Sequence, residues 1–203
     1  MSILQHKHGG IVLAAGASSR MGRAKALLPM PTGRPLAAEQ AARLREAGAV
    51  DVVIVLGHDA ETIATALEPH GTRCAFNAEW ESGRLSSMQA GLIAMPSDLL
   101  GTLVVPVDAA HIAAATFTHV LREADRGEAA VIRPCHHQQP GHLLWLAGSL
   151  FDEIYALKPD PDFRFDQWIA SRERRLEVDD TAILNNITTP DRWAACFCCF
   201  RCR

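Results

Sequence analysis

Residues 10–25, GIVLAAGASSRMGRAK, decide how the rest of the chain is read. The first part, Gly10 to Ala15, is a continuous apolar run of strand length. Runs of this kind belong to strands covered on both faces. The second part is made of small residues and cations: Gly16, Ala17, Ser18, Ser19, Arg20, Met21, Gly22, Arg23, Ala24 and Lys25. Small side chains let the backbone approach a ligand and point successive N–H groups inward, forming a nest for an anion. Arg20 offers a planar fork for phosphate oxygens, and Lys25 a mobile point charge. Strand, small-residue turn and two cations together suit a polyphosphate. As composition alone, the same stretch also fits a Gly/Ser turn with exposed basic residues.

Spacing removes two familiar phosphate loops. The Walker A pattern needs Gly-Lys-Ser/Thr, and Gly22 is followed by Arg23. The dinucleotide fingerprint needs three glycines at set offsets, and Ala17 and Ser18 do not supply them.

Outward from this loop, apolar runs of strand length alternate with helical patterns. Residues 35–48 read as a helix with Leu36, Gln40, Leu44 and Ala47 near one face and Gly48 as its C-cap. Residues 51–56, 73–76, 101–107 and 129–133 read as strands. Residues 60–67, 86–94 and 112–124 read as helices. The last third is less regular, with an extra strand over 143–147 and helices over 150–157 and 163–171. Strand–helix alternation with buried strands predicts a three-layer α/β domain with a mostly parallel sheet. In such sheets ligands bind at the carboxyl ends of the strands.

Bulk properties bound the function. The 203 residues fit one domain, with 48% apolar and 21% charged residues, as in an ordinary globular protein. A net charge of −3 gives no long-range pull toward nucleic acid or an anionic membrane. No membrane span and no secretory leader are read from the chain, so a cytoplasmic location is the expectation. Cys74 and Cys135 read as buried small hydrophobes. The remaining four cysteines crowd residues 196–202, a spacing that suits neither a disulfide framework nor two separated zinc-ligand pairs. The expected organisation is one domain over residues 1–193 and a disordered cysteine-rich tail over 194–203.

The strand over 101–107 delivers Asp108 to its carboxyl end. A carboxylate beside a phosphate loop is the hard oxygen ligand that Mg²⁺ takes, and it also suits a helix N-cap. His136, His137 and His142 match no metal-ligand spacing, and no Ser/His/Asp or Cys/His set is apparent.

LAAGASSRMGRAKALLP, residues 13–29, resembles the signature LAAGxSxRMGxxKxLLP of the nucleotidyltransferases related to molybdenum cofactor cytidylyltransferase. That resemblance implies a Rossmann-like domain of the nucleotide-diphospho-sugar transferase type. It implies transfer of a nucleotidyl group from a triphosphate to an acceptor phosphate, with Mg²⁺. Leu13, Ala14, Ala15, Gly16, Ser18 and Ser19 with Arg20 and Lys25 would hold the triphosphate. Asp108 matches the metal-binding aspartate of P-x-D-x-P, with Ala110 in place of the second proline. Leu184 to Asp191, LNNITTPD, resembles the family's N-x-N-T-P-E-D segment and puts Asn186 at the second metal position, an amide oxygen without charge. Asn77 to Met88, NAEWESGRLSSM, resembles N-x-x-W-x-x-G-x-x-x-S, which would bring Asn77, Gly83, Ser86 and Ser87 to the base and ribose; a capped loop with Trp80 in the core explains it as well. Gly141-His142 resembles the G-H-P segment near the acceptor, with Leu143 in place of proline. The doublet Ala14-Ala15 resembles the cytidylyl branch. The resemblance thus implies CTP (or another triphosphate) and a molybdopterin-type acceptor, with a molybdoenzyme or chaperone as partner. A sugar phosphate acceptor, or cofactor binding without catalysis, are the alternatives.

Overall fold

The computed structural model describes residues 7–198. The first strand, β1 (His8–Leu13), is followed by α1 (Leu36–Glu46), β2 (Asp51–Leu56), α2 (Ala60–Leu67), β3 (Arg73–Phe76), α3 (Arg84–Ile93), β4 (Gly101–Pro106) and α4 (Ala114–Ala124). Then come β5 (Val131–His136), β6 (Gln139–Pro140), β7 (Leu144–Ala147), α5 (Phe151–Ala156), α6 (Phe165–Ile169), β8 (Glu173–Glu177) and α7 (Pro190–Cys198). One eight-stranded sheet runs β3-β2-β1-β4-β7-β5-β6, with β8 paired to β5. Strands β1 to β4 are mutually parallel, β5 and β8 pair in parallel, and β7 is antiparallel to both β4 and β5. The expected mostly parallel three-layer architecture is what the chain forms.

Alternation along the central strands explains the layers. Val12, Ile54, Leu103 and Val105 face one core with α1 and α4, while Ile11, Val53, Val55 and Val104 face the other with α3, α5 and α6. Neither face of these strands meets water, which is why their sequence shows no polar period. Helix α1 ends at Glu46 with Ala47 as its C-cap, and Gly48, which the sequence offers as the cap, follows it at φ 113°. Helix α4 is not capped by Asp108. Its first turn is met by Asp180, whose Oδ2 accepts from the Ala113 N–H at 2.9 Å and the Thr116 hydroxyl at 2.6 Å. That leaves the Asp108 carboxylate for other work.

Helix α7 begins at Pro190 as a helix start at Thr189-Pro190 should, and it continues through Cys198. Residues 194–198, expected as the start of a disordered tail, are therefore helical, and residues 199–203 lie outside the described region. Among the described residues no helix is long and apolar enough to cross a membrane.

Candidate active site

The carboxyl ends of β1, β2, β3 and β4 share one edge, and the antiparallel β7 starts there. The site is assembled from the loops along it. After β1 the chain is pinned by the Ala14 N–H donating to the Val55 carbonyl at 2.9 Å. Ser18 then enters the left-handed region at φ 53° and Gly22 at φ 70°, which curls residues 16–24 into a compact bay. The Ser18 Oγ accepts from the Lys25 N–H at 3.2 Å, so Ser18 closes the loop on itself. Gly16, Ser19 and Arg20 stay exposed, while Met21 anchors the loop in the core.

The loop brings Lys25 to Asp108. Lys25 Nζ stands 2.7 Å from Asp108 Oδ2, and both side chains keep under a fifth of their surface exposed. Asp108 is held from behind by α1. Gln40 Nε2 donates to the carbonyls of Val107 at 2.8 Å and of Pro106 and Ala109 at 3.3 Å, and Arg43 donates to those of Ala110 and Ile112. Ala110, where the family has proline, is thus tied by its carbonyl to Arg43.

The segment before α7 returns to the same place. The Ile187 N–H donates to the Asp108 carbonyl at 2.9 Å, which brings Asn186 next to Asp108. Asn186 Oδ1 is buried and has no hydrogen-bond partner. An orphaned amide oxygen is costly unless something accepts its lone pairs. A divalent cation shared with the Asp108 carboxylate would do so, and carboxylate plus carbonyl oxygen is the donor chemistry that Mg²⁺ takes. The residues present therefore fit such an ion. No group of three or more His, Cys, Asp or Glu side chains is placed to hold a metal among the described residues, so most of its ligands would have to come from substrate and water.

Beside the loop lies a cleft of about 340 Å³ lined by Leu13, Ala15, Gly16, Trp80, Gly83, Arg84 and Ser87, among others. Its floor depends on Gly57. A Cβ there would sit 2.5 Å from the Trp80 Cβ and 2.8 Å from the Ala15 carbonyl oxygen, so only glycine lets these three segments meet. His58 packs edge-on to Trp80 with centroids 5.4 Å apart. Asn77 is buried. Its Nδ2 donates to the hydroxyls of Ser86 at 2.9 Å and Ser87 at 3.0 Å, and its Oδ1 accepts from the Glu79 N–H. The Ser86 hydroxyl in turn donates to the carbonyls of Glu79 and Gly83. Asn77 and Ser86 thus shape the cleft wall, whereas Gly83 and Ser87 line it. Ser86 lies in the first turn of α3, two residues after its start at Arg84, so it braces the helix entry from within.

Gly141 and His142 reach the edge just before β7. Gly141 is seated against Ile183, and the His142 N–H donates to the Ile183 carbonyl at 3.1 Å. Burial lowers the His142 pKa; Asp108 and Asp166 oppose that shift, while Arg84 and Arg133 add to it. His136 and His137 belong to the hairpin between β5 and β6: His136 Nδ1 lies 3.0 Å from the Val178 carbonyl, and His137 takes φ 48° in the turn.

Sequence reasoning assigned no site role to Gln40, Gly57 or Arg84. Gln40 was visible as the one polar residue on an apolar helix face. Gly57 could have been sought because it directly follows a buried strand.

The fold is a three-layer α/β domain of the nucleotide-diphospho-sugar transferase type, with its loops gathered on the carboxyl edge of the sheet. The chain belongs to the MobA-like NTP transferase domain family, whose model matches residues 10–175. It is 40% identical over 118 residues to a molybdenum cofactor guanylyltransferase from Xanthomonas euvesicatoria, covering 58% of this chain and 56% of that protein. It is 45% identical over 85 residues to a nicotine blue oxidoreductase from Paenarthrobacter nicotinovorans, covering 40% of each. The chain thus spans only about half the length of these curated relatives. A solved homologue of Mycobacterium tuberculosis Rv0371c, from Mycobacterium sp. strain JC1, shares the fold with a TM-score of 0.76 at 24% identity, covering 97% of this chain and 98% of that one.

Proposed function

We propose that this protein transfers a nucleoside monophosphate from a triphosphate to a phosphorylated acceptor and releases pyrophosphate. The observation that carries this reading is the contact of Lys25 with Asp108 behind the residue 16–24 loop, with Asn186 and its orphaned oxygen brought alongside by the Ile187–Asp108 backbone bond. One relative is named for a redox activity, so family membership alone does not choose the reaction. A cation beside a carboxylate and an unfilled oxygen ligand suits phosphorus chemistry, where catalysis is mostly positioning and charge stabilisation.

In this reading the loop amides and Arg20 hold the triphosphate, and Gly16 lets the phosphates approach the backbone. Asp108 and Asn186 would hold Mg²⁺, which when bound would offset the charge of the phosphates. Lys25 exchanges its contact with Asp108 for a phosphate oxygen and stabilises the charge that builds at the α-phosphorus. An acceptor phosphate oxygen attacks that phosphorus, the bond to the bridging oxygen breaks, and pyrophosphate leaves. In the same reading Gly141 and His142 would meet the acceptor.

CTP is the proposed donor and a molybdopterin-type phosphate the proposed acceptor. Ala15 is buried and its methyl lines the cleft, which leaves less room than a glycine would. A pyrimidine suits the narrower space. The named guanylyltransferase relatives make GTP the competitor to test. Each of the four triphosphates is incubated with Mg²⁺ and either molybdopterin or a sugar 1-phosphate, and pyrophosphate is measured. Release with CTP and molybdopterin is expected. Release with GTP would reassign the base, and release with the sugar phosphate would reassign the acceptor. Tight nucleotide binding with no release under any pairing would overturn the transferase reading in favour of a binding protein.

A further inference from the structure

The side chain of Arg84 sits at the first residue of α3 and lines the cleft beside Gly16. Its Nε and Nη2 atoms are buried and have no hydrogen-bond partner, and Arg84 makes no ion pair among the described residues. A guanidinium in this state is expensive, because its donors have left water without replacement. Nearby charges do not resolve the deficit. Arg133 holds Asp166 at 2.5 Å and Glu173 at 2.7 Å, so those carboxylates are already engaged. Asp108 is engaged by Lys25. Burial pushes the Arg84 pKa below the usual arginine range; Asp166 and Asp108 oppose this and Arg133 adds to it. Arginine nonetheless keeps its proton at neutral pH. The α3 N-terminus adds a partial positive charge at the same point.

We propose that Arg84 is a substrate-specificity residue, a pre-set fork whose free Nε and Nη2 take the phosphate monoester of the acceptor and set it against the α-phosphorus. Two free donors on one planar group match two oxygens of one phosphate. The nucleotide's own phosphates have the glycine loop, Arg20 and Lys25. Arg84 lines the same cleft as Gly16, and it is also coupled by charge to Asp166, Arg133, Asp108 and His142, which brings the Gly141–His142 segment within its field. The inference rests on the transferase reading for its acceptor, but anion capture at Arg84 can be read without turnover.

The test uses the full chain labelled with ¹⁵N at arginine. The Arg84 Nε–H resonance is assigned by its loss in Arg84→Lys. Inorganic phosphate is titrated into the wild type, Arg84→Gln and Lys25→Ala, and Mg²⁺·CTP and Mg²⁺·GTP into the wild type and Arg84→Gln. Expected is a phosphate-induced shift of the Arg84 signal that persists in Lys25→Ala. Arg84→Gln should weaken phosphate at this site by about ten- to a hundred-fold, the worth of a charge-assisted contact, with nucleotide affinity unchanged. With an acceptor in hand, its KM should rise in Arg84→Gln and recover in part in Arg84→Lys. If nucleotide moves the Arg84 signal and Arg84→Gln weakens nucleotide instead, the residue serves the triphosphate and the proposal is wrong. If neither ligand moves the signal, it is equally wrong. Should Arg84→Gln not fold, Arg84→Lys and the wild-type resonance still decide. Absence of turnover with phosphate bound at Arg84 would count against the transferase reading alone.

Discussion

Lys25 Nζ and Asp108 Oδ2, 83 residues apart in the chain, stand 2.7 Å from each other at the carboxyl edge of the sheet. Two oppositely charged groups thus occupy the point at which a triphosphate and a cation would have to replace their mutual contact. In the proposed reaction this contact would give way, freeing both groups for substrate and cation.

Replacing Lys25 by Ala should therefore separate catalysis from folding. Pyrophosphate release is expected to drop by about two to three orders of magnitude, the usual cost of losing one preorganised charge at a reacting centre. The pair is mostly buried and its loss leaves the Asp108 carboxylate unpartnered, so the unfolding free energy should fall by about 1–3 kcal/mol without abolishing the fold. Single-turnover kinetics and a urea titration check the two halves. Undiminished turnover would remove Lys25 from the mechanism.

Asn186→Asp should strengthen the metal site. The orphaned Oδ1 would become a carboxylate oxygen next to Asp108, and ligand charge is a main determinant of affinity for hard cations. Mn²⁺, titrated as a spectroscopic probe, is expected to bind roughly ten-fold more tightly to the variant, and more weakly to Asn186→Leu. Equal affinity in all three proteins would show that this oxygen does not face the ion.

Gln40→Leu tests the brace behind Asp108. The side chain gives up its contact with the Val107 carbonyl and two longer ones, but it also removes the buried, unpartnered Oε1. These effects offset each other in part, leaving a loss of about 1–2 kcal/mol. The larger consequence should be functional, since the loop carrying Asp108 loses its support from α1. Mn²⁺ affinity should fall along with urea resistance.

The thiol of Cys135 gives a pH signature. Burial, reinforced by the hydrogen bond to Glu177 Oε2 at 3.2 Å, pushes it from 9.0 up to about 11. Between those values the folded chain keeps a proton that the unfolded chain releases. Stability is therefore whole below pH 9 and declines as pH rises toward 11. Cys135→Val should show a shallower decline over that window in thermal unfolding. Identical slopes would mean that the thiol does not titrate late.

Much of this organisation is legible in the sequence, for reasons particular to each element. The apolar runs of β1, β2 and β4 have no polar period because both faces are covered, and that alone predicts the layers. The antiparallel sense of β7 is invisible, since strand direction depends on connections rather than composition. β8, ERRLE, was missed because it is an edge strand whose charged side chains make ion pairs such as Arg133–Glu173 in place of apolar burial. The loop motif and Asp108 are local strings and could be read directly. Gln40 bonds to carbonyls far away in the chain, and Arg84 meets Gly16 only across the folded cleft, so neither placement is visible before the chain folds.

Asp180 and Ile187 carry one more implication. The first caps α4 and the second bonds the Asp108 backbone, so the closing segment is stitched onto a sheet edge made more than 60 residues earlier. In order of synthesis, the loop and Asp108 emerge from the ribosome well before this segment. A growing chain can thus build its central strands early, yet Asn186 can join Asp108 only after the domain is nearly finished. Ligand capture through that pair would report that synthesis has passed residue 186, and a nascent chain halted before residue 180 would hold a core with an open edge.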